Sequence, residues 1–301
     1  MLTEAKVLAP GLRTYRGGVT TPERWNTWQP RQGDIVVCTP PKCGTTWTQS
    51  MLCMLVNGGP DLSAPVPVIS PWVDADLGVP ADEVTAAIAA QTGRRVLKTH
   101  TPGDGFPIWE GIPVIAVYRH PLDIFFSLRK HVANTANVHE IDRIYLAPVP
   151  ESFRAFVEGG VDREDFGHDT LAKFCLHYTE TVCSGRRTDM VLFHYAGMVR
   201  DGRAAVERLA QAIGIDDPAL VDRVAAATSF GAMKANADRF APVAGTGFWR
   251  SDAGFFDSAS SQKWKGQLTE DELAAYDARM DELVPDPEAR AWFEGGNLAT
   301  S

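Results

Sequence analysis

Apolar residues in this chain fall into two patterns that alternate from about residue 34 to residue 283. Short, nearly continuous β-branched runs predict strands that are buried on both faces of a sheet. They cover residues 35–38, 95–100, 113–118 and 189–195. Longer stretches with apolar positions three or four residues apart predict helices. They cover residues 47–56, 81–92, 122–132, 169–185, 202–213, 217–227 and 269–283. Strands that alternate with helices favour an α/β fold with a mostly parallel sheet and helices on both faces.

Four segments lie outside this alternation and are predicted to be irregular. Residues 1–33 are typical of a lead-in to a domain. Residues 57–80 form a long loop rich in Gly, Pro and Asp. Residues 134–168 and 240–265 have the length of lids or ligand-binding loops. We expect one domain over residues 1–301.

The overall charge and the cysteine content exclude some classes of protein. The net charge of −9 argues against a general affinity for nucleic acid or anionic membranes, so local positive charge must hold any anionic ligand. The five cysteines lack metal-ligand spacing, which indicates reduced core thiols of a cytoplasmic protein. The longest purely apolar run, residues 51–56, is too short to cross a bilayer, and no apolar signal core precedes it.

The first predicted strand leads through a tight turn into the first predicted helix. Pro40 and Pro41 end the strand, because proline cannot donate to a sheet. Gly44 permits a close approach of the backbone, Lys42 adds a positive charge, and the free N–H groups of the helix start form an anion site. The arrangement is P-loop-like, but a standard P-loop places its lysine after the second glycine. An ordinary strand–turn–helix with a solvated lysine stays open at this point.

Charged residues also follow the next two predicted strands. Lys98 and His100 point to the same face, since side chains alternate along a strand. They also stand at the carboxyl end of the strand, which is where open α/β sheets bind ligands. Arg119 stands where a nucleoside triphosphatase would normally place a magnesium-binding Asp, and Ser127 lies about two helical turns further on. An arginine suits bidentate phosphate binding, which needs no metal. For Lys98 and His100 a bland interpretation stays open, in which His100 is a structural histidine and Lys98 a lysine that snorkels to the solvent.

Five motifs occur in an order that resembles the cytosolic-type sulfotransferases, which use 3′-phosphoadenosine-5′-phosphosulfate (PAPS). The phosphosulfate loop of that family, close to YPKSGTTW, is matched by PPKCGTTW at residues 40–47. The K-T-H motif is matched at residues 98–100, and the family's arginine–serine pair by Arg119 and Ser127. The T-S-F-x-x-M segment is matched at residues 228–233. The Y-E-D-M segment is matched loosely from Tyr195.

The chain departs from the family's pattern in three places. Cys43 replaces the usual serine of the loop, where the expected contact comes mainly from the backbone. The C-terminal R-K-G-x-x-G-D-W-K motif is broken: residues 248–251 resemble its start and residues 263–265 its end. Arg250 is therefore assigned to the arginine of this motif. The short C-terminal dimer motif is not recognisable, so the oligomeric state stays open.

The resemblance implies how the chemistry would be divided among the matched residues. Lys42 would neutralise charge on the leaving phosphate oxygen, and Lys98 would steady the sulfuryl oxygens. His100 would take the proton from the acceptor hydroxyl. An in-line transfer of an anionic group needs positioning, cations and one base, so no metal is expected.

The resemblance also implies a nucleotide site that takes PAPS and its product, adenosine 3′,5′-bisphosphate (PAP). The backbone of residues 43–46 would hold the 5′-phosphosulfate. Aromatic side chains would enclose the adenine, and Arg119, Ser127 and Arg250 would hold the 3′-phosphate. The full implied set is Lys42, Cys43, Gly44, Thr45, Thr46, Trp47, Arg119, Ser127, Tyr195, Thr228, Phe230, Met233 and Arg250.

Two other functions and several acceptors stay open from the sequence. A P-loop kinase of a small molecule would need a magnesium carboxylate, and a non-catalytic nucleotide-binding module would have no use for Lys98 and His100 together. The acceptor is expected to be a small-molecule or lipid hydroxyl: a phenol, alcohol, sterol, lipid or glycolipid. Four aromatic residues could form an apolar acceptor pocket or belong to the core. They are Phe106, Trp109, Tyr145 and Phe153.

Overall fold

The computed structural model describes residues 3–296 and contains a parallel sheet at its centre. The strands are β1 Val7–Ala9, β2 Ile35–Cys38, β3 Val96–Thr99, β4 Ile108–Trp109, β5 Val114–Tyr118 and β6 Met190–His194. The central sheet has the strand order β3-β2-β5-β6, and all of its neighbouring strands run parallel. All four strands predicted from the sequence are present, each within two residues of its predicted bounds.

Helices cover both faces of this sheet. They are α1 Thr45–Asn57, α2 Val66–Ile69, α3 Ala81–Ala90, α4 Pro121–Asn134, α5 Val149–Glu158, α6 Leu171–Tyr178, α7 Tyr195–Arg200, α8 Gly202–Ala212, α9 Pro218–Ala227, α10 Phe230–Ala235, α11 Ala237–Phe240, α12 Glu270–Leu283 and α13 Pro287–Gly295. Along β5, Ile115 and Val117 face the cluster built on α1, α8 and α9, whereas Ala116 and Tyr118 face the one built on α4, α5 and α6. The α/β class with two covered faces is therefore confirmed.

A buried ion pair fixes the start of the two strands on which the site depends. Arg95 Nη2 lies 2.5 Å from Asp34 Oδ2, and both side chains are almost fully buried. A second carboxylate oxygen of Asp34 accepts from Arg95 Nε at 3.0 Å, and Trp28 Nε1 also donates to this carboxylate. Removal of one partner from a buried pair costs about 3–5 kcal/mol. The pair thus holds β2 and β3 in register before either strand reaches the site.

All four predicted irregular segments contain some regular structure, which in residues 57–80 is the short helix α2 and in residues 240–265 a 3-10 helix, Ala253–Phe255. Residues 134–168 include a 3-10 helix, Glu140–Leu146, and α5. Pro150 stands in the first turn of α5, where a missing N–H costs nothing, so it does not prevent this helix. Phe153 and Phe156 of α5 are buried in the core.

The lead-in is also more ordered than predicted. Residues Val7–Ala9 pair antiparallel with Ile108–Trp109, and a 3-10 helix covers Pro22–Thr27. The predicted helix over residues 169–185 is α6 followed by a π-helical turn, Thr179–Cys183. Helix α13 was not predicted at all. Helix α12 begins with a capping box, in which Thr269 and Glu272 satisfy each other's backbone N–H groups.

The cysteine prediction is confirmed for four residues and wrong for the fifth. Cys38, Cys43, Cys53 and Cys175 are buried free thiols, whereas Cys183 is exposed at the end of the π-helical turn. Within residues 3–296, no helix has both the length and the apolar character needed to cross a membrane.

Candidate active site

The carboxyl ends of the four parallel strands face one cavity of about 1010 Å³. The turn after β2, the end of β3 and the residues after β5 and β6 each contribute to its wall. Ligand pockets usually measure about 300–1,000 Å³, so this cavity lies at the upper limit for one ligand and suits two. All the predicted site residues except Cys43 and Arg250 line it: Lys42, Gly44, Thr45, Thr46, Trp47, Lys98, His100, Arg119, Ser127, Tyr195, Thr228, Phe230 and Met233.

The turn between β2 and α1 presents an open helix N-terminus to the cavity. Gly44 is the N-cap of α1 with φ of 98°, and the cap has no side-chain hydrogen bond, so the first N–H groups are free to meet an anion. A Cβ atom at this position would lie 2.9 Å from Cδ2 of Tyr195. Glycine is therefore required here by both the backbone angle and the packing. Thr45 is turned inward, with its hydroxyl 2.5 Å from that of Thr39.

His100 is held in one tautomer by the backbone. Its Nδ1 lies 2.5 Å from the carbonyl oxygen of Thr39, which can only accept, so Nδ1 carries the proton and Nε2 keeps its lone pair. The ring packs edge-on against Trp72, with the centroids 4.6 Å apart. Burial and the charge of Lys98 lower the pKa of His100 well below its usual range. The imidazole is therefore neutral at neutral pH and can accept a proton at Nε2.

The two lysines of the site have lost much of the stabilisation that water gives to a charge. Burial, helped by Arg119 and Lys98, lowers the pKa of Lys42 to about 7. Burial lowers the pKa of Lys98 to about 8, although Asp74 acts in the opposite direction. The ammonium group of Lys98 lies 4.5 Å from the centre of the Trp72 ring. An anionic ligand would restore the charge of both lysines, which makes the site selective for anions.

Arg119 is nearly fully buried and binds the backbone on two sides. Its Nη1 donates to the carbonyl of Lys42 and its Nη2 to the carbonyl of Ser260. The guanidinium stacks on the ring of Tyr195 at 4.4 Å. Within the described part of the chain its buried Nε has no partner, and each Nη keeps a second N–H, so the guanidinium still has donors for a ligand. Ser127 of α4 lines the same cavity.

Aromatic and backbone groups form the other wall of the predicted nucleotide site. Trp47 Nε1 donates to the carbonyl of Thr228 at 2.8 Å, which fixes the indole, and the Tyr195 ring meets it edge-on at 6.0 Å. The hydroxyl of Thr228 is turned to the carbonyl of Val224, so this residue contributes its backbone. Phe230 begins α10, and Met233 of the same helix is buried beside it.

Two residues of the predicted set do not line the cavity. Arg250 is exposed, its Nε donates to the carbonyl of Thr135, and it lies beside a separate surface hollow. Cys43 is fully buried in the core, as expected for a residue that would act through its backbone. The cation that the broken C-terminal motif does bring to the cavity is Lys263, which pairs with Asp257. Residues 263–265 were matched to the end of the motif, but no role was predicted for Lys263, because the arginine of the motif was assigned to Arg250.

The aromatic residues considered for an acceptor pocket belong to the core. Phe106, Trp109, Tyr145 and Phe153 are all at least 94% buried, and none of them lines the cavity. Four exposed apolar residues line the cavity instead. They are Val68, Leu77, Val243 and Phe248.

The remaining missed residues are Trp72, His131 and Phe255, which line the cavity close to the lysines. Trp72 lies in a loop that was predicted to be long but was given no role. His131 had a usable signal, since it follows Ser127 by four residues and so shares its face of α4. Among residues 3–296, no group of three or more His, Cys, Asp and Glu side chains could hold a metal ion.

Cations, a neutral histidine and an open helix N-terminus at the ends of parallel strands define an enzyme that transfers an anionic group. The family model described as the sulfotransferase domain matches residues 32–287. The chain belongs to this family and is a sulfotransferase. This assignment rules out the small-molecule kinase and the non-catalytic nucleotide-binding module that the sequence had left open.

Relatives that are themselves sulfotransferases match most of the length of the chain. A glycolipid sulfotransferase from Mycobacterium bovis is 35% identical over 314 residues, which cover 94% of each chain. Sulfotransferase 2A1 from Macaca fascicularis is 24% identical and covers 84% of this chain and 85% of its own. A mouse sulfotransferase solved in complex with PAP has a TM-score of 0.67 at 17% identity, with 91% and 92% of the two chains covered. A retinol dehydratase solved with retinol and PAP has the same TM-score, with 88% and 84% covered.

Proposed function

We propose that this sulfotransferase moves a sulfuryl group from PAPS to the hydroxyl group of a lipid or glycolipid acceptor. The observation that carries the proposal is the lining of the cavity, which combines buried cations with exposed apolar residues. We call these four apolar residues, Val68, Leu77, Val243 and Phe248, the mouth of the cavity. The relative from Mycobacterium bovis, named a glycolipid sulfotransferase, supports the acceptor class, and the neighbours solved with PAP support the donor. A cytoplasmic location stays a prediction from the cysteine pattern.

The residues present fit a phosphorylated adenine nucleotide. The uncapped N-terminus of α1 suits its 5′-phosphosulfate, and the guanidinium of Arg119, a residue that lines the cavity, suits a second phosphate. Trp47 and Tyr195 offer aromatic faces for the base. When bound, PAPS supplies an activated sulfuryl group with a phosphate as leaving group. Lys42, Arg119 and Lys263 are the cations that would hold this nucleotide.

The chain's own residues account for the remaining needs of the reaction. His100 presents a fixed, neutral Nε2 to the cavity, and we assign it the proton of the acceptor hydroxyl. Lys98 lies two residues away on the same side of β3, where its charge would stabilise the oxygens of the transferred group. Lys42 would stabilise the charge that grows on the leaving phosphate. Trp72 shields both the lysine of β3 and the histidine from water.

The apolar residues at the mouth of the cavity favour an acceptor with a long apolar part. Val68 is 61% exposed and Leu77 56% exposed, and both lie in the segment 57–80. Val243 and Phe248, which are 40% and 39% exposed, lie in the segment 240–265. Full burial of an exposed Val, Leu or Phe side chain contributes roughly 1.5–3 kcal/mol, so these partly exposed side chains would each gain about half of that against an acyl chain. A short polar alcohol would leave these groups in water, so the cavity favours a lipid-like acceptor.

The test is a sulfate-transfer assay with labelled PAPS and glycolipids that share one head group but differ in chain length. We expect kcat/KM to rise with chain length, and no transfer when ATP and magnesium replace PAPS. Leu77→Asp should remove the dependence on chain length, because a charge at the mouth repels the chain. Leu8→Asp is the matched control, since Leu8 is 58% exposed and does not line the cavity. Equal rates for all chain lengths would contradict the acceptor class.

A further inference from the structure

His131 is a polar residue of the cavity to which neither the sequence motifs nor the proposed reaction assign a role. It lies near the end of α4, four residues after Ser127 on the same face of the helix. Its Nδ1 is 2.7 Å from Nζ of Lys42, which is a short hydrogen bond. The bond connects α4 with the turn between β2 and α1, so it joins two elements that both line the nucleotide end of the cavity.

The direction of this hydrogen bond follows from the two groups. An ammonium has three donors and no acceptor, so Nδ1 of His131 must accept and its proton lies on Nε2. His100 has the opposite tautomer, because its Nδ1 donates to a carbonyl. The two histidines therefore carry their protons on different ring nitrogens and leave different lone pairs free. The lone pair of His100 is available to an acceptor hydroxyl, whereas that of His131 is used by Lys42.

The surroundings fix His131 and leave Lys42 dependent on it. The imidazole packs edge-on against Trp249 at 4.8 Å and lies 6.1 Å from Phe255. Lys42 has a left-handed backbone with φ of 64°, and its Nζ lies 5.0 Å from the centre of the Phe255 ring. An aromatic face gives an ammonium only partial compensation for lost water. The lone pair of His131 is thus a strong neutral partner for this cation.

We infer that His131 is a positioning residue for Lys42: it stabilises the charged form of this lysine and aims it at the phosphate-binding turn before an anionic ligand arrives. The inference rests on the proposed role of Lys42 toward the donor. Without His131 the flexible lysine would lose its acceptor and lie in an apolar pocket beside other cations. It would then either move away or lose its proton.

The charged groups around Lys42 and His131 make the pKa of Lys42 sensitive to the hydrogen bond between them. Burial is the main reason why the pKa of Lys42 falls to about 7 and that of His131 falls well below its usual range. Loss of an acceptor would lower the lysine pKa further, while bound phosphate would raise it. The charged groups that face Lys42 are Arg119, Lys98 and Lys263, which oppose its protonation, and Asp169, which favours it; Lys42 and Lys98 face His131.

Two substitutions separate the acceptor atom from the ring. His131→Phe keeps an aromatic ring against Trp249 and removes the acceptor, whereas His131→Asn places an amide oxygen near the position of Nδ1. The first measurement is the titration of Lys42 in ligand-free protein by NMR of labelled lysine side chains. We expect His131→Phe to lower its pKa from about 7 to about 6, since a hydrogen bond to a charged group is lost. His131→Asn should restore the wild-type value.

The second measurement is the affinity for PAP, by calorimetry, at pH 5.5 and pH 7.5. At the lower pH both proteins hold Lys42 charged and should bind alike. At the higher pH His131→Phe should bind about eightfold more weakly, because more of its lysine must take up a proton first. An equal loss at both pH values, or an unchanged Lys42 titration, would overturn the inference. Failure of the wild-type protein to bind PAP would contradict the proposed donor instead, and the titration would still decide the role of His131.

Discussion

The removal of His100 gives the sharpest prediction for the chemical step. The structure fixes this residue from two sides, by the 2.5 Å hydrogen bond from Nδ1 to Thr39 and by the edge-on contact with Trp72. Substitution by alanine would therefore remove the base and also leave a carbonyl without its donor. His100→Asn avoids the second effect, because an amide N–H can still donate to Thr39 while nothing replaces Nε2.

The size of the effect follows from the role of a general base. Proton transfer by a positioned base contributes about 10²–10⁴ in rate, which corresponds to about 2.7–5.4 kcal/mol in the activation free energy. The ring of His100 is already oriented in the ligand-free protein, so its contribution should lie well inside this range. We expect His100→Asn to lower kcat with an alcohol acceptor at least about a hundredfold. Its affinity for PAP should stay unchanged.

The assay compares two acceptors and two variants. With a strongly acidic phenol, which is already ionised, the loss in His100→Asn should shrink, since no proton remains to be taken. Lys98→Ala should slow both acceptors alike, because its charge acts on the transferred group. Since the pKa of His100 lies well below its usual range, the wild-type rate should not fall until the pH is well below 6.5. If His100→Asn kept near-normal turnover with the alcohol, the histidine would be structural and the reasoning refuted.

Three further predictions concern the nucleotide. Arg119→Ala should weaken PAP binding about tenfold or more but leave adenosine 5′-phosphate nearly unaffected, because a charge-assisted hydrogen bond contributes roughly 1.5–3 kcal/mol; equal losses in calorimetry would contradict a 3′-phosphate role. Trp47→Ala should raise the dissociation constant of PAP, since base stacking contributes roughly 1–3 kcal/mol; a lowered Tm with unchanged affinity would make it a core residue. Arg250→Ala should not change PAP affinity measurably, because its guanidinium lies outside the cavity, and a tenfold loss would restore the role predicted from the motif.

The sequence predicted the sheet and its binding edge because both depend on local patterns. Buried parallel strands are short continuous apolar runs, and the polar residues that follow them must lie at one edge. For this reason Lys42, Lys98, Arg119 and Tyr195 were placed together although they are separated by up to 153 residues along the chain. The phosphate turn was predicted for the same reason, since Gly44 and the following helix start are adjacent in sequence.

The acceptor side could not be predicted, because it depends on which long segments fold over the sheet. Phe106 and Phe153 were candidates for the pocket, but composition does not distinguish an aromatic residue of the core from one that lines a cavity. The residues that do line the mouth, such as Leu77 and Val243, come from segments without periodicity. The position of Arg250 outside the cavity was unpredictable for a similar reason, since a broken motif gives no register until Lys263 is seen to return to the cavity.

The electrostatics of the cavity explain how a protein with a net charge of −9 can bind an anionic donor. One cavity is lined by four cationic side chains, those of Lys42, Lys98, Arg119 and Lys263. Burial keeps the three lysines away from water and so lowers their pKa values. The pKa values of ligand-free Lys42 and Lys98, about 7 and about 8, thus lie close to neutral pH, and an incoming phosphate shifts both lysines to the charged form. Binding of the donor and protonation of the site are therefore coupled, so affinity should decline as the pH rises through about 7 to 8. The same coupling lets the site charge fully only when the anion is present, which favours the donor over neutral molecules that enter through the apolar mouth.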